Sequence, residues 1–277
     1  MKSKLYVTLL VAALFGCQGK ENVKTYTPRE LKGTESFNQY QQKGGDSLSV
    51  YNLNGKEPGQ AGGGEEKELF RVKFGDTIVN IQSGTSDKSL VTGTFSFTQF
   101  INSQKTCLLV QSADSTGLEA PFYLITLKDR QLEVVSLYRP SASKEDSRFT
   151  KGATKIGRSG YLVNNDFFIT TVDAKAYFLK RQNEEERIQG IHFLNSPDRH
   201  TLVFLVSSSL YQVHYPTGTV FTQPLSSEVP KQPGAMFAWI QHNFSWQKNA
   251  AGISFLKKNV DDDKIIDARD LKPARKL

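Results

Sequence analysis

The sequence predicts an all-β fold, an antiparallel meander set behind a disordered N-terminal tether. Three observations predict it. From Leu69 onward, short runs of β-branched and aromatic residues alternate with polar turns at close intervals. Residues 18–67 are polar and rich in chain breakers, a composition that buries too little apolar surface to order. A short apolar segment behind Lys2 and Lys4 opens the chain, in the pattern of an export signal.

The first element is that signal, residues 1–16. Leu5 to Phe15 is apolar over 11 residues, too short to cross a bilayer core of about 30 Å as a helix. Leu14-Phe15-Gly16-Cys17 follows directly. This run resembles the bacterial lipoprotein box, whose cysteine thiol is acylated and becomes the new N-terminus. The resemblance implies lipidation of Cys17, palmitate-type chains in a membrane, and, with Gln18 rather than aspartate next, the outer membrane. Without the resemblance, the segment reads as an ordinary signal peptide that contains a cysteine.

Residues 17–67 read as a flexible tether. It includes Gln41-Gln42-Lys43-Gly44-Gly45 and the glycine-rich run from Gly59 to Glu66, with room for a short ordered patch around Leu48 to Tyr51.

The all-β domain spans 68–260. Phe70, Val72 and Phe74 alternate, followed by Ile78, Val79 and Ile81, then Val91 to Phe100 and Cys107 to Val110. Hairpins follow: Phe122 to Leu127 with Leu132 to Leu137 across Lys128-Asp129-Arg130-Gln131, and Phe167 to Val172 with Ala176 to Leu179. Leu202 to Val206 meets Leu210 to Val213, and Pro216-Thr217-Gly218 turns into Thr219 to Phe221. The run Phe193 to Val206, with Ser196-Pro197-Asp198 as a turn and Thr217-Gly218 after the second strand, resembles one blade of TolB-like β-propellers. The usual glycine after the aspartate is absent, and Arg199 stands there. No repeat period extends the likeness. A small propeller-like fold and a β-sandwich or barrel both fit. Residues 261–277 form a charged tail.

Basic residues number 35 against 28 acidic ones, and loss of the signal leaves 33 against 28, a net of +5. The basic residues are scattered, which argues against nucleic acid as a partner. Past the signal, nothing approaches the run of about eighteen apolar residues that spans a membrane. Cys107 is the only other thiol. It lies in an apolar strand, so it reads as a buried, inert residue with no disulfide partner.

Four histidines, His192, His200, His214 and His242, lack metal-ligand spacing, and neither a nucleophile elbow nor a phosphate loop is present. The run from Asn259 to Leu271 resembles an EF-hand or dockerin calcium loop. Asn259, Asp261, Asp263, Asp267 and Asp270 fill the ligand places, and Ile266 the aliphatic one. Lys264 replaces the family's glycine. The other reading is a solvated acidic turn between two strands. Phe237, Trp239, Phe244 and Trp246 recur at spacings that fit paired strands with one aromatic face. Such a face is either a platform for sugar or peptide, with Trp239 and Trp246 as candidate ligand-binding residues, or a core layer.

These features lead to a lipid-anchored envelope protein of the outer membrane. It acts as a non-catalytic binding or assembly component that meets an envelope protein or glycan. The alternatives are an exported hydrolase acting on glycan or peptide, and a calcium-stabilised binding module.

Overall fold

Each central strand carries two apolar faces, so the strands stack in successive layers rather than around one core. The computed structural model describes residues 21–31, 33–38, 46–54, 68–83, 90–113, 121–139, 152–182, 190–206, 208–225, 229–230, 232–259 and 266–267. The chain is all-β, a curled half-barrel sheet followed by antiparallel meanders.

The first strands are β1 (Asn22–Tyr26), β2 (Arg29–Glu30), β3 (Glu35–Ser36) and β4 (Leu48–Asn52). Then come β5 (Phe70–Phe74), β6 (Thr77–Ser83), β7 (Leu90–Thr92), β8 (Phe95–Phe100), β9 (Cys107–Ser112), β10 (Phe122–Lys128) and β11 (Gln131–Ser136). Sheet 1 runs β1-β6-β5-β8-β9-β10-β11-β2, with β4 on β5 and β7 on β6. The second meander is β12 (Ala153–Ile156), β13 (Gly160–Val163), β14 (Phe167–Thr170) and β15 (Lys175–Phe178), with β3 added at its edge. The third is β16 (Ile191–Asn195), β17 (Thr201–Val206), β18 (Ser209–His214) and β19 (Thr219–Pro224). Helix α1 (Pro233–Asn243) and the hairpin β20 (Phe244–Lys248) and β21 (Ser254–Lys258) follow, and β22 (Ile266–Asp267) closes on β19.

Alternation along the strands assigns side chains to layers. In β10, Tyr123 and Ile125 face Val72, Val79 and Ile81 of the curled half-sheet. Phe122 and Leu124 face Tyr161, Val163, Phe167 and Ile169 of sheet 2. On the far side of sheet 2, Leu162 and Phe168 pack on Leu202, Phe204 and Tyr211 of sheet 3. The opposite face of sheet 3, Val203 and Leu210, packs on Ile240, Phe244 and Leu256. Among the described residues, four apolar seams therefore join the β1/β4–β7 half-sheet, the β8–β11 half-sheet, sheet 2, sheet 3 and the terminal helix-hairpin unit.

Two differences from the sequence reading stand out. Parts of the stretch read as tether form β1 to β4. β1 pairs with β6, β2 with β11 and β3 with β15, while Leu31 and Phe37 are buried between sheets 1 and 2. These apolar residues are isolated in polar sequence, so no periodicity announces them. Phe237 and Trp239 lie on α1, not on a strand. Pro233 presets the first turn, and Ala235, Met236 and Ala238 favour helix over sheet.

The turn chemistry agrees with the sequence. Asp129 and Arg130 both have positive φ in the two-residue β10–β11 loop. Arg199, at the place where the blade pattern has glycine, has φ +63°, and Gly218 has φ +69°. Ser196-Pro197-Asp198 turns the chain into β17, with the Arg199 amide donating to the Ser196 carbonyl at 2.8 Å.

Candidate functional site

The terminal helix-hairpin unit gathers both candidate tryptophans. α1 carries no Asp, Glu, Lys or Arg along its whole length. One side packs on sheet 3 through Met236, Trp239 and Ile240. The other side leaves Ala235, Phe237, Ala238, Gln241 and His242 exposed. A helix face that carries alanines and a phenylalanine and no charge is ordinarily covered, yet among the described residues nothing covers this one. Phe237 is 41% exposed, and its ring lies 5.7 Å from that of Phe193. Trp239 is half-buried, 5.8 Å from Phe244 ring to ring, and Trp246 is half-buried opposite Leu256. The structure thus brings the two tryptophans into one cluster, mainly as packing residues. Phe237 is the ring offered to solvent.

Polar side chains hold the hairpin on sheet 3. The Gln212 amide is buried; its Nε2 donates to the Leu256 carbonyl at 2.8 Å and its Oε1 accepts the Leu256 N–H at 2.7 Å. Thr201 Oγ1 donates to the Ser254 carbonyl at 2.6 Å. Asp198 accepts hydroxyl bonds from Ser196 and Ser254, each at 2.5 Å, and the His200 amide at 3.1 Å. Burial raises the Asp198 carboxyl, but these donors and the nearby His200 charge outweigh it and hold the pKa at about 2.

His200 and His214 lie beside this turn, ring centroids 6.0 Å apart, with Tyr215 5.9 Å from His200. His214 bonds Thr217 Oγ1 at 2.7 Å. Its pKa is lowered by burial and by the His200 charge, against an opposing pull from Asp198. Tyr215 is pushed up to about 12, by burial first and then by Tyr177, Asp173 and Asp198. The serine hydroxyls here donate to a carboxylate, so their protons are held in place rather than drawn off by an imidazole. The arrangement clamps a turn. His192 bonds Asn195 Oδ1 at 2.9 Å on β16, and His242 is exposed at the end of α1.

Two clefts open at the mouth of the curled half-sheet. One of about 560 Å³ is lined by Asn22, Lys24, Tyr26, Phe74, Arg130 and Leu132. A neighbour of about 490 Å³ shares Phe74 and Arg130. Arg130 is paired with Asp46 at 2.5 Å, and neither cleft joins a histidine to a carboxylate.

Among the described residues, no three His, Cys, Asp or Glu side chains gather as metal ligands. Of the candidate calcium ligands, Asn259 ends β21. Its amide N–H donates to the Asn243 carbonyl at 2.7 Å and its Nδ2 to the His242 carbonyl at 3.1 Å. Asp267 pairs through its backbone with Phe221 in β22–β19, while Asp261, Asp263 and Asp270 lie outside the described residues, as does Cys17. Cys107 is fully buried, and burial raises its thiol well above the ordinary range, as expected of an inert packing residue.

Comparison with family models, curated proteins and solved structures finds no match to this chain. The functional reading therefore rests on the residues themselves.

Proposed function

We propose that this is a lipid-anchored cell-envelope protein, held through acylated Cys17 at the outer membrane. It acts as a non-catalytic binding or assembly component. Its partner is an envelope protein that covers the open side of α1. One observation carries this reading: a helix without a single formal charge leaves Ala235, Phe237 and Ala238 in solvent. Protein is favoured over glycan by chemistry. A sugar needs hydrogen-bonding groups all around a stacking ring, whereas here Gln241 and His242 stand only on the C-terminal side of Phe237 and the rest of the open face is two alanines. Trp239 and Trp246 support that surface from beneath.

A photo-crosslinking amino acid at Phe237, in cells making the full chain, tests this. The expected result is one discrete protein adduct that is absent when the crosslinker stands at Ala251 and is lost with Ala238→Glu. A glycan adduct would move the reading to a glycan partner. No adduct, together with turnover of a glycan or peptide substrate by the purified protein, would overturn it.

The calcium-stabilised module remains a second reading, on the five oxygen ligands of the C-terminal run. It requires a melting temperature that rises with added calcium in the wild type and does not rise in Asp263→Ala.

A further inference from the structure

Sheet 1 has an outermost face with nothing packed on it among the described residues. Val72, Val79 and Ile81 point inward to the β8–β11 half-sheet. Their strand neighbours point outward. Tyr51 stands opposite Arg71 and Val91 opposite Gln82, so these pairs share the outer face, and Val23 stands opposite Ile78, which its neighbours on that face cover to 4% exposure. Seven large apolar side chains are exposed among the described residues, and four lie here: Val23 (52%), Tyr51 (49%), Leu53 (42%) and Val91 (52%). Arg71 and Lys73 lie on the same face. Lys73 is 2.8 Å and Arg71 3.6 Å from the single carboxylate of Glu21, which leaves the group net positive. Lys73 also sits 5.2 Å from the Tyr51 ring centre.

The chain leading to this face is short. Only five residue steps separate Cys17 from Asn22, the first residue of β1. Fully extended at about 3.5 Å per residue, they reach about 18 Å. That is less than two sheet-to-sheet spacings of about 10 Å. A thiol acylated at Cys17 would keep the β1 half-sheet close to the lipid, whatever path the intervening residues take.

We infer that the outer face of β1, β4, β5, β6 and β7 rests on the bilayer that holds the acyl chains. The inference depends on the anchoring reading above and adds an orientation to it. The occupant is a lipid surface because the anchor allows little standoff, and because the face offers what a membrane interface takes up. It has scattered aliphatic side chains, a tyrosine with an apolar ring and a polar tip, and basic groups for anionic headgroups. The α1 unit lies at the other end of the stack of layers and shares no apolar cluster with this half-sheet.

The test uses the full lipidated chain in vesicles of phosphatidylethanolamine and phosphatidylglycerol. An environment-sensitive fluorophore is placed on Val91→Cys, on Tyr51→Cys or on Ala251→Cys. Cys107 is buried and does not compete for the label. Nitroxide-bearing lipids should quench the labels at 91 and 51 several-fold more than the label at 251. An insert of about ten glycine and serine residues after Gly19 lengthens the leash. It should weaken that quenching while flotation with vesicles is unchanged. Equal quenching at all three sites in protein that floats overturns the orientation and leaves the anchor standing. Protection of the 91 label in detergent without vesicles, in step with self-association, assigns the face to a second copy and overturns it too. Protein that stays soluble with a free Cys17 thiol overturns both readings.

Discussion

The second and fourth seams of the stack are held in different ways. Between the β8–β11 half-sheet and sheet 2, a broad apolar layer dominates, with Leu109, Phe122, Leu124, Val163, Phe167 and Ile169 all buried, and a few polar bonds, such as Tyr161 Oη to Gln99 Oε1 at 2.9 Å and Asn164 Nδ2 to the Leu137 carbonyl at 3.1 Å, cross beside it. Between sheet 3 and the β20–β21 hairpin, hydrogen bonds from Gln212 and Thr201, and one that Asp198 accepts from Ser254, add to a thinner apolar layer. Apolar burial is non-directional and tolerates sliding. A side-chain amide bonded to both backbone groups of one residue does not. The middle of the stack gains stability from area, while its end gains register from polar geometry.

One ion pair cuts across that contrast and gives the largest expected effect. Arg181 and Asp166 are both 0% exposed and bond at 2.8 and 3.0 Å, with Arg181 also donating to the Arg139 carbonyl at 2.7 Å. Asp166→Ala strands a buried guanidinium, and the expected loss is about 3–5 kcal/mol in urea unfolding. A loss below about 1 kcal/mol would show that water reaches the site. Next is Gln212→Leu, which leaves the Leu256 N–H and C=O unpaired. It should lower stability by about 2 kcal/mol and speed amide exchange in β20–β21 while leaving β9 and β10 protected. Uniform loss of protection would mean that the two seams unfold as one.

A smaller effect tests the Asp198 clamp. A carboxyl held at about 2 in the fold, against an ordinary 3.8, stabilises the protein above about pH 4. That contribution is lost as pH falls toward about 2. Ser254→Ala should therefore show a stability deficit that is full at pH 7 and shrinks across that window. A pH-independent deficit would assign the role of Ser254 to packing alone. The smallest effect is a gain. Arg199 has φ +63° in an exposed turn, and Arg199→Gly should raise stability by about 0.5 kcal/mol.

The sequence exposed the strands where alternation is strong. The hairpin Phe122 to Leu137 and the meander from Ile191 to Phe221 are both legible. So is the special place of residue 199, because a turn pattern that ordinarily has glycine marks a left-handed position. It marked β4 only as a short ordered patch around Leu48 to Tyr51 and concealed β1 to β3, since Leu31 and Phe37 become apolar anchors only once sheets 1 and 2 exist to receive them. It also concealed α1, where aromatic spacing resembled strand alternation and the alanines carried the better signal. The tryptophans were singled out, but the exposed ring is Phe237, and exposure depends on tertiary packing. The pairing of Arg181 with Asp166 left no trace, because fifteen residues separate the two and their meeting depends on how β13 to β15 turn.

The segment from Asn22 to Ser36 binds partners far along the chain: Asn22 meets Thr77, Arg29 meets Val135, and Glu35 meets Ala176. Closing such distant loops is slow, because the entropy is lost before any contact repays it. In a polypeptide that emerges from its amino end, these residues come out before every strand they pair with, and the last of them must wait until residue 176 has appeared before it can dock. Pulsed hydrogen exchange during refolding should show their amides protected after those of β9 and β10, and simultaneous protection would contradict this order. What is made early in this molecule is the stitching that finishes it.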